Sequence, residues 1–205
     1  MLKHHILISY RNLVRNKLFS TINILGLALG LACALLILLW VNDELKTNRF
    51  HEKNDRLFQV ISEVEFTNGK VEYGHTVASP LAEALKAKIP EIEDVIRMDW
   101  GSRNLLLVEG NGIQELGLHA DASFFKVFSF ELKQGNPATV LEDMYSIVIS
   151  QNLADKFFPN SPNLLGKIIN VRNWDGDTPF KVTGVFDKVP VHSSLKFDYV
   201  LPYNF

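Results

Sequence analysis

The sequence predicts an α+β protein: an N-terminal amphipathic helix, one transmembrane helix, and a mixed α/β domain on the far side of the membrane. Three observations predict it. An uncharged apolar run extends from Leu18 to Asn42. The charged residues before it (Lys3, Arg11, Arg15, Lys17) are all basic, while all 23 Asp and Glu residues lie at Asp43 or later. Beyond the run, period-2 and period-3.6 apolar patterns are interleaved with Gly, Pro and Asn punctuation.

Residues 2–17 come first. Ile6, Tyr10, Leu13 and Val14 recur at helical spacing, and Arg11, Asn12, Arg15 and Asn16 fall elsewhere. That is a short basic amphipathic helix, suited to the cytoplasmic interface. The bland alternative is a poorly ordered basic tail that only sets orientation. Residues 18–42 come next. A helix rises about 1.5 Å per residue, so roughly 20 apolar residues cross a hydrocarbon core of about 30 Å. Ser20, Thr21 and Asn23 sit at one end of the run and Trp40 at the other, where an interfacial aromatic belongs. Arg11, Arg15 and Lys17 on one side, against Asp43 and Glu44 on the other, put the amino terminus in the cytoplasm and residues 43–205 outside. A cleaved signal peptide has a shorter apolar stretch, about 7–15 residues. A lipoprotein box at Leu31-Ala32-Cys33 is a poor match, because Gly30 replaces an aliphatic residue and apolar sequence follows. Within the span, Gly26-x-x-x-Gly30 allows close helix approach, although glycine is common in membrane helices. Any partner helix for that face comes from elsewhere.

Residues 57–66 alternate as a half-buried strand does, Asn68-Gly69 is a turn, and 70–73 return. Ser79-Pro80 reads as an N-cap with proline at N1, and Leu81, Leu85 and Ile89 line one helix face before Pro90. Strands are expected at 95–100, 105–109 and 113–118, the last two forming a hairpin around Gly110-Asn111-Gly112. A short helix is expected at 122–128, a buried strand at 147–149, and a Ser150-capped helix over 151–158 ended by Pro159. Strands follow at 167–173, 180–186 and 196–201. The pattern contains no repeat and no long linker, and describes one domain or two closely joined lobes.

The composition sets bounds on the chemistry. With 205 residues, 47 % apolar, 21 % charged and a net charge of −2, the chain is globular and has no bulk attraction to nucleic acid. Basic residues beyond the span are interleaved with acids, so no nucleic-acid partner is expected. His119 and Asp121 share one strand face, which is better read as hydrogen-bonded surface residues than as metal ligands. Asp175-Gly176-Asp177 lacks the further ligands of a calcium loop and reads as a β-turn. No G-x-S-x-G motif or phosphate-binding glycine loop is present, and Cys33, the single cysteine, lies inside the span. The reading is therefore of a protein that is not an enzyme, with no catalytic residue, metal or cofactor.

Residues 8–60 resemble the start of MacB/FtsX-type ABC-transporter permeases, through Arg11-Asn12-Leu13, Arg15-Asn16-Lys17, a glycine-bearing helix, an acidic exit and Phe50-His51. The resemblance continues through Ala78-Ser79-Pro80-Leu81, the phenylalanine-rich 120–135, the segment 146–167, Val182-Thr183-Gly184-Val185, Val189-Pro190 and Lys196-Phe197-Asp198. It implies an inner-membrane permease subunit whose 43–205 segment is a MacB-like periplasmic core domain. Its partners would be membrane lipid, the remaining permease helices or a second copy, and a cytoplasmic ABC ATPase. Its work would be export, lipoprotein handling or cell-envelope signalling. Such permeases continue into further membrane helices, so the resemblance implies an N-terminal portion or a truncated reading frame, without ATPase coupling by itself. The rival readings are a single-pass sensor with a closed apolar pocket and a membrane-tethered enzyme.

Overall fold

The computed structural model describes residues 2–159, 161–173 and 176–204, without the side chains of Leu2, Lys3, Ile6 and Ser9. It divides into two compact units, Met1–Thr47 and Asn48–Phe205. The first holds α1 (Leu2–Arg15) and α2 (Lys17–Glu44). Asn16, at φ −107° and ψ 55°, is non-helical and breaks the two apart. No residue of α2 is buried, and the helix is long and apolar enough to cross a membrane.

The second unit is organised on a seven-stranded sheet. Its strands are β3 (Ser102–Val108), β4 (Asn111–Ala120), β5 (Leu132–Gln134), β6 (Ser146–Ser150), β7 (Ile168–Asn173), β8 (Gly176–Phe186) and β9 (Tyr199–Pro202), in the order β5-β8-β6-β9-β4-β3-β7. A further β7–β8 pairing joins the last strand of that order to the second and closes six of the strands into a ring. Closure leaves few free strand edges. The β3–β4 hairpin turns on Glu109 and Gly110, with φ of 49° and 85°. Positive φ at both central residues is what a two-residue I′ turn requires.

Strand β6 is buried along its whole length, because each face packs on a different core. Ile147, Ile149, Tyr199 and Leu201 belong to one cluster, completed by Leu153 and Ala154 of α5 (Gln151–Phe157). Val148 and Val200 belong to the other, completed by α4 (Phe124–Val127), Phe130, Phe186 and Phe197. Helix α5 starts as expected: the Ser150 hydroxyl accepts from the Leu153 N–H at 3.1 Å. A separate hairpin, β1 (Ser62–Glu65) with β2 (Val71–Gly74), and α3 (Leu81–Lys88) lie outside both clusters.

Four local expectations need correction. The strand over 57–66 shrinks to Ser62–Glu65, since 57–61 joins no strand ladder. The strand over 95–100 reduces to one bridge, Met98 to Ala120. There the side chains of Asp121 and Asp99 accept from Arg97 N–H and His119 N–H in place of ladder carbonyls. Ser79 does not cap α3, whose N-cap is Pro80; its hydroxyl meets the Tyr203 hydroxyl at 3.2 Å. Strand β5 has no counterpart in the expected pattern. The Asp175-Gly176-Asp177 turn falls partly outside the described residues; Asp177 itself is held by Arg172.

Tyr199 packs flat across Gly117 and receives the Asn104 amide on its hydroxyl at 3.0 Å. Burial pushes its phenol up to about 12 despite that hydrogen bond. A Cβ on Gly117 would stand 2.1 Å from two ring atoms of Tyr199. Gly117→Ala is therefore expected to cost about 1–3 kcal/mol, as overpacking does. In thermal melts of the full chain it should lower the midpoint by several degrees, and Tyr199→Leu in the same chain should recover part of that loss. An unchanged midpoint would contradict the close packing.

Candidate functional site

Four residues past the end of α2, the chain meets the second unit at Asn48. The Asn48 N–H donates to the His192 carbonyl at 2.9 Å. Its side chain accepts from the Ser194 N–H at 2.9 Å and donates to the Ser194 hydroxyl at 2.9 Å. Asn48 has φ 60°, a conformation that asparagine tolerates better than most residues. Short loop side chains thus pin the first residue of the sheet-bearing unit to the connection between β8 and β9.

Phe50 and His51 complete the anchor. His51 is 5 % exposed and lies among Phe50, Phe128 and Phe130, with ring centroids 3.9, 5.2 and 5.2 Å away. Its Nδ1 accepts the Ser129 N–H at 3.1 Å. A backbone N–H can only donate, so Nδ1 carries the lone pair and the ring is the neutral Nε2–H tautomer. The next residue repeats the contact, Glu52 N–H donating to the Ser129 hydroxyl at 2.9 Å. Burial pulls the His51 imidazole below its ordinary pKa, which favours that neutral form. Phe130 continues the aromatic contact inward, edge-on to Phe197 at 5.0 Å and stacked on Phe124 at 5.6 Å. Phe197 precedes β9 by two residues, so the rings connect residues 50–51 to the centre of the sheet.

A second polar cluster fixes residues 97–99 to the end of β4. The Arg97 guanidinium takes both oxygens of Asp121, with its shortest contact at 2.7 Å, and lies 4.8 Å from the Tyr203 ring centroid. Asp99 accepts from His119 twice, Nδ1 at 2.7 Å and the backbone N–H at 2.8 Å. Burial alone would raise the Asp99 carboxyl; the His119 hydrogen bonds outweigh it and hold it below its usual range. His119 and Asp121 are thus each engaged by a different partner. Among the described residues no group of three or more His, Cys, Asp or Glu side chains is arranged to hold a metal.

The structure places the other residues singled out from sequence as follows. Gly26 and Gly30 stand one turn apart on α2, with nothing within 4 Å of an added Cβ at either. Arg11, Arg15 and Lys17 are exposed around the α1–α2 break, and Asp43 and Glu44 are exposed in the last turn of α2. A depression of about 460 Å³ is lined by Gln151, Asp155, Phe158, Ser161, Pro162 and Leu164 and opens to solvent. A sensor would want a closed apolar cavity. Sequence reasoning did not single out Asn48, Ser129 or Ser194; their roles arise between segments far apart in the chain, where no local pattern registers them.

The chain thus joins in sequence a helix long and apolar enough to cross a membrane and a domain built on a mixed sheet flanked by short helices. The family model for the MacB-like periplasmic core domain matches residues 20–205, and the chain belongs to that family of ABC-transporter permease domains. Its sheet-bearing unit is accordingly an extracytoplasmic domain. Similar solved structures include a domain assigned to a permease protein from Porphyromonas gingivalis, at 26 % identity, TM-score 0.56, covering 66 % of this chain and 56 % of that one. The periplasmic region of MacB from Actinobacillus actinomycetemcomitans follows at 24 % identity, TM-score 0.47, with 60 % and 53 % covered. The extracellular domain of the noncanonic ABC-type transporter YknZ from Gram-positive bacteria shows 17 % identity, TM-score 0.49, with 62 % and 63 % covered. The chain therefore spans 53–63 % of the length of these solved domains. No curated protein matches it significantly.

The anchor makes a prediction about pH. Because the folded state lowers the His51 pKa below its unfolded value of 6.5, the stability it confers is complete above about pH 6.5 and declines as pH falls below that. The Asp99 contribution, from a carboxyl depressed below 3.8, holds until much lower pH and is lost beneath that value. Chemical denaturation across pH should show the upper decline in wild type and a smaller one in His51→Gln. Equal slopes between pH 7.5 and 5 would rule out the neutral buried imidazole.

Proposed function

We propose that the chain is the N-terminal portion of an ABC-transporter permease subunit, in which α2 crosses the inner membrane with its amino terminus in the cytoplasm. On this reading residues 1–17 lie at the cytoplasmic interface, 18–42 span the bilayer and 43–205 form the periplasmic core domain. The domain couples ATP hydrolysis by a cytoplasmic ABC ATPase to export, lipoprotein handling or cell-envelope signalling, and the chain itself catalyses nothing. Membrane lipid surrounds α2, and the remaining permease helices or a second copy pack on its Gly26/Gly30 face. Nucleic acid plays no part.

One observation carries the proposal: the segment leaving the apolar helix is pinned to the sheet at Asn48 and at His51. The first residues of the domain are thereby fixed to its sheet and to its aromatic core. The Gly26/Gly30 stripe supports the helix-partner element, because small residues let membrane helices approach closely.

Two measurements test this. A reporter active only after export, fused behind residue 205, should be active in cells; activity of a cytoplasm-only reporter there would refute the orientation. Purified from its native membrane, the natural full-length protein to which this portion belongs should bring a cytoplasmic ABC ATPase with it, and Gly26→Ile/Gly30→Ile should weaken that recovery several-fold. Absence of any ATPase from wild-type preparations would refute the transporter role.

A further inference from the structure

Helix α1, placed at the cytoplasmic interface by the proposed function, carries an arrangement that bears on which lipid it meets there. At about 100° per residue, Leu7, Tyr10, Leu13 and Val14 project over one arc of the helix. His4, Arg11 and Arg15, spaced i, i+7 and i+11, fall within about 40° of one another beside that arc. All of these side chains are exposed, and Ile8 is the apolar residue on the opposite side. No acidic residue occurs anywhere before Asp43, so nothing within α1 or α2 up to that point neutralises the stripe. The non-helical backbone at Asn16 separates α1 from α2. Lys17, the first residue of α2, adds a further cation directly after the break.

We propose that α1 is a docking helix for anionic phospholipid. It lies along the bilayer surface with Leu7, Tyr10, Leu13 and Val14 toward the acyl chains and with Arg11, Arg15 and His4 on headgroup phosphates. The occupant follows from charge complementarity and from the chain's course. The face combines apolar and basic groups without acids, and the helix that follows Asn16 enters the same bilayer. The proposal rests on the reading of α2 as a span. Phosphate oxygens accept from guanidinium pairs in two-point contacts, and a zwitterionic surface supplies no net attraction for them.

The test uses the full chain with Cys33→Ser, carrying a nitroxide at Leu13→Cys, in nanodiscs of phosphatidylcholine alone or with phosphatidylglycerol. Nanodiscs expose both leaflets, so the direction of insertion in cells does not matter. A second label, at Leu29→Cys, reports the span. With phosphatidylglycerol, the Leu13 label should be immobilised, more accessible to oxygen and less accessible to a water-soluble relaxant; without it, the docked fraction should fall. Arg11→Gln/Arg15→Gln should lower the docked-to-free ratio in phosphatidylglycerol about 30-fold, from about 1 kcal/mol per basic side chain near an anionic surface. Equal docking in both lipids, or no loss in the double variant, overturns the proposal. So does immobilisation that appears only with spin–spin broadening between two chains, which would assign the face to a second copy. A Leu29 label exposed to water overturns the span itself, whereas a buried Leu29 label with a free Leu13 label overturns only the docking helix.

Discussion

The hydrogen bond from Ser129 N–H to the neutral His51 ring is the contact on which the arrangement of the second unit turns. It sits where the chain that follows the apolar helix must become part of the sheet. A phenylalanine at 51 would supply the packing but would strand the Ser129 N–H, and an unpaired buried donor costs about 1–3 kcal/mol. A charged imidazole would lose the acceptor lone pair and bring an ion among Phe50, Phe128 and Phe130. Only a neutral ring with one lone pair meets both requirements. From there the aromatic contacts run through Phe130 to Phe197 and Phe186, so the anchor and the sheet core share side chains.

The sheet imposes the complementary constraint. The parallel pairing of β4 with β9 sets Gly117 opposite Tyr199, so an absent side chain makes room for a large one. The phenol reaches across β4 to Asn104 on β3, so one residue joins three neighbouring strands. Asn48 and the His192–Ser194 loop lie just before β9, the strand that carries Tyr199. The anchor and the Tyr199 packing therefore depend on the same short stretch of chain.

Much of the fold was legible because its signals are local. The apolar run and charge asymmetry define α2, Ser150 caps α5, and the glycine turn joins β3 to β4. What was not legible depends on partners. Alternation over 57–66 reports extended backbone, but only a neighbouring strand turns extension into a ladder, and 57–61 has none. At 95–100 the acids that substitute for ladder bonds, Asp99 and Asp121, lie on both sides of the pairing. The ring closure cannot be read from any window shorter than the β3–β9 separation. Of the anchor, Phe50-His51 was visible as a family-like pair; Ser129 and Ser194 were not, since serine in a loop has no distinguishing pattern.

The charges and glycines of α2 are unfavourable for a helix in water and less so for one in a bilayer. An isolated helix gains from acids in its first turn and bases in its last, about 0.3–1 kcal/mol each. Here Lys17 occupies the first turn, and Asp43 and Glu44 the last, the reverse of what the macrodipole favours. Gly26 and Gly30 add a cost of about 0.8–1.0 kcal/mol each relative to alanine in a helix interior. In water all of these choices are unfavourable, and nothing in the first unit offsets them, because no residue of α2 is buried. Across a bilayer the signs change. Basic residues favour the cytoplasmic side, backbone hydrogen bonds inside hydrocarbon are too costly to break for glycine to unwind the helix, and the missing side chains become a contact surface. The features that weaken α2 as a soluble helix are ones a bilayer tolerates, which supports the proposal that it crosses a membrane and packs against another helix there.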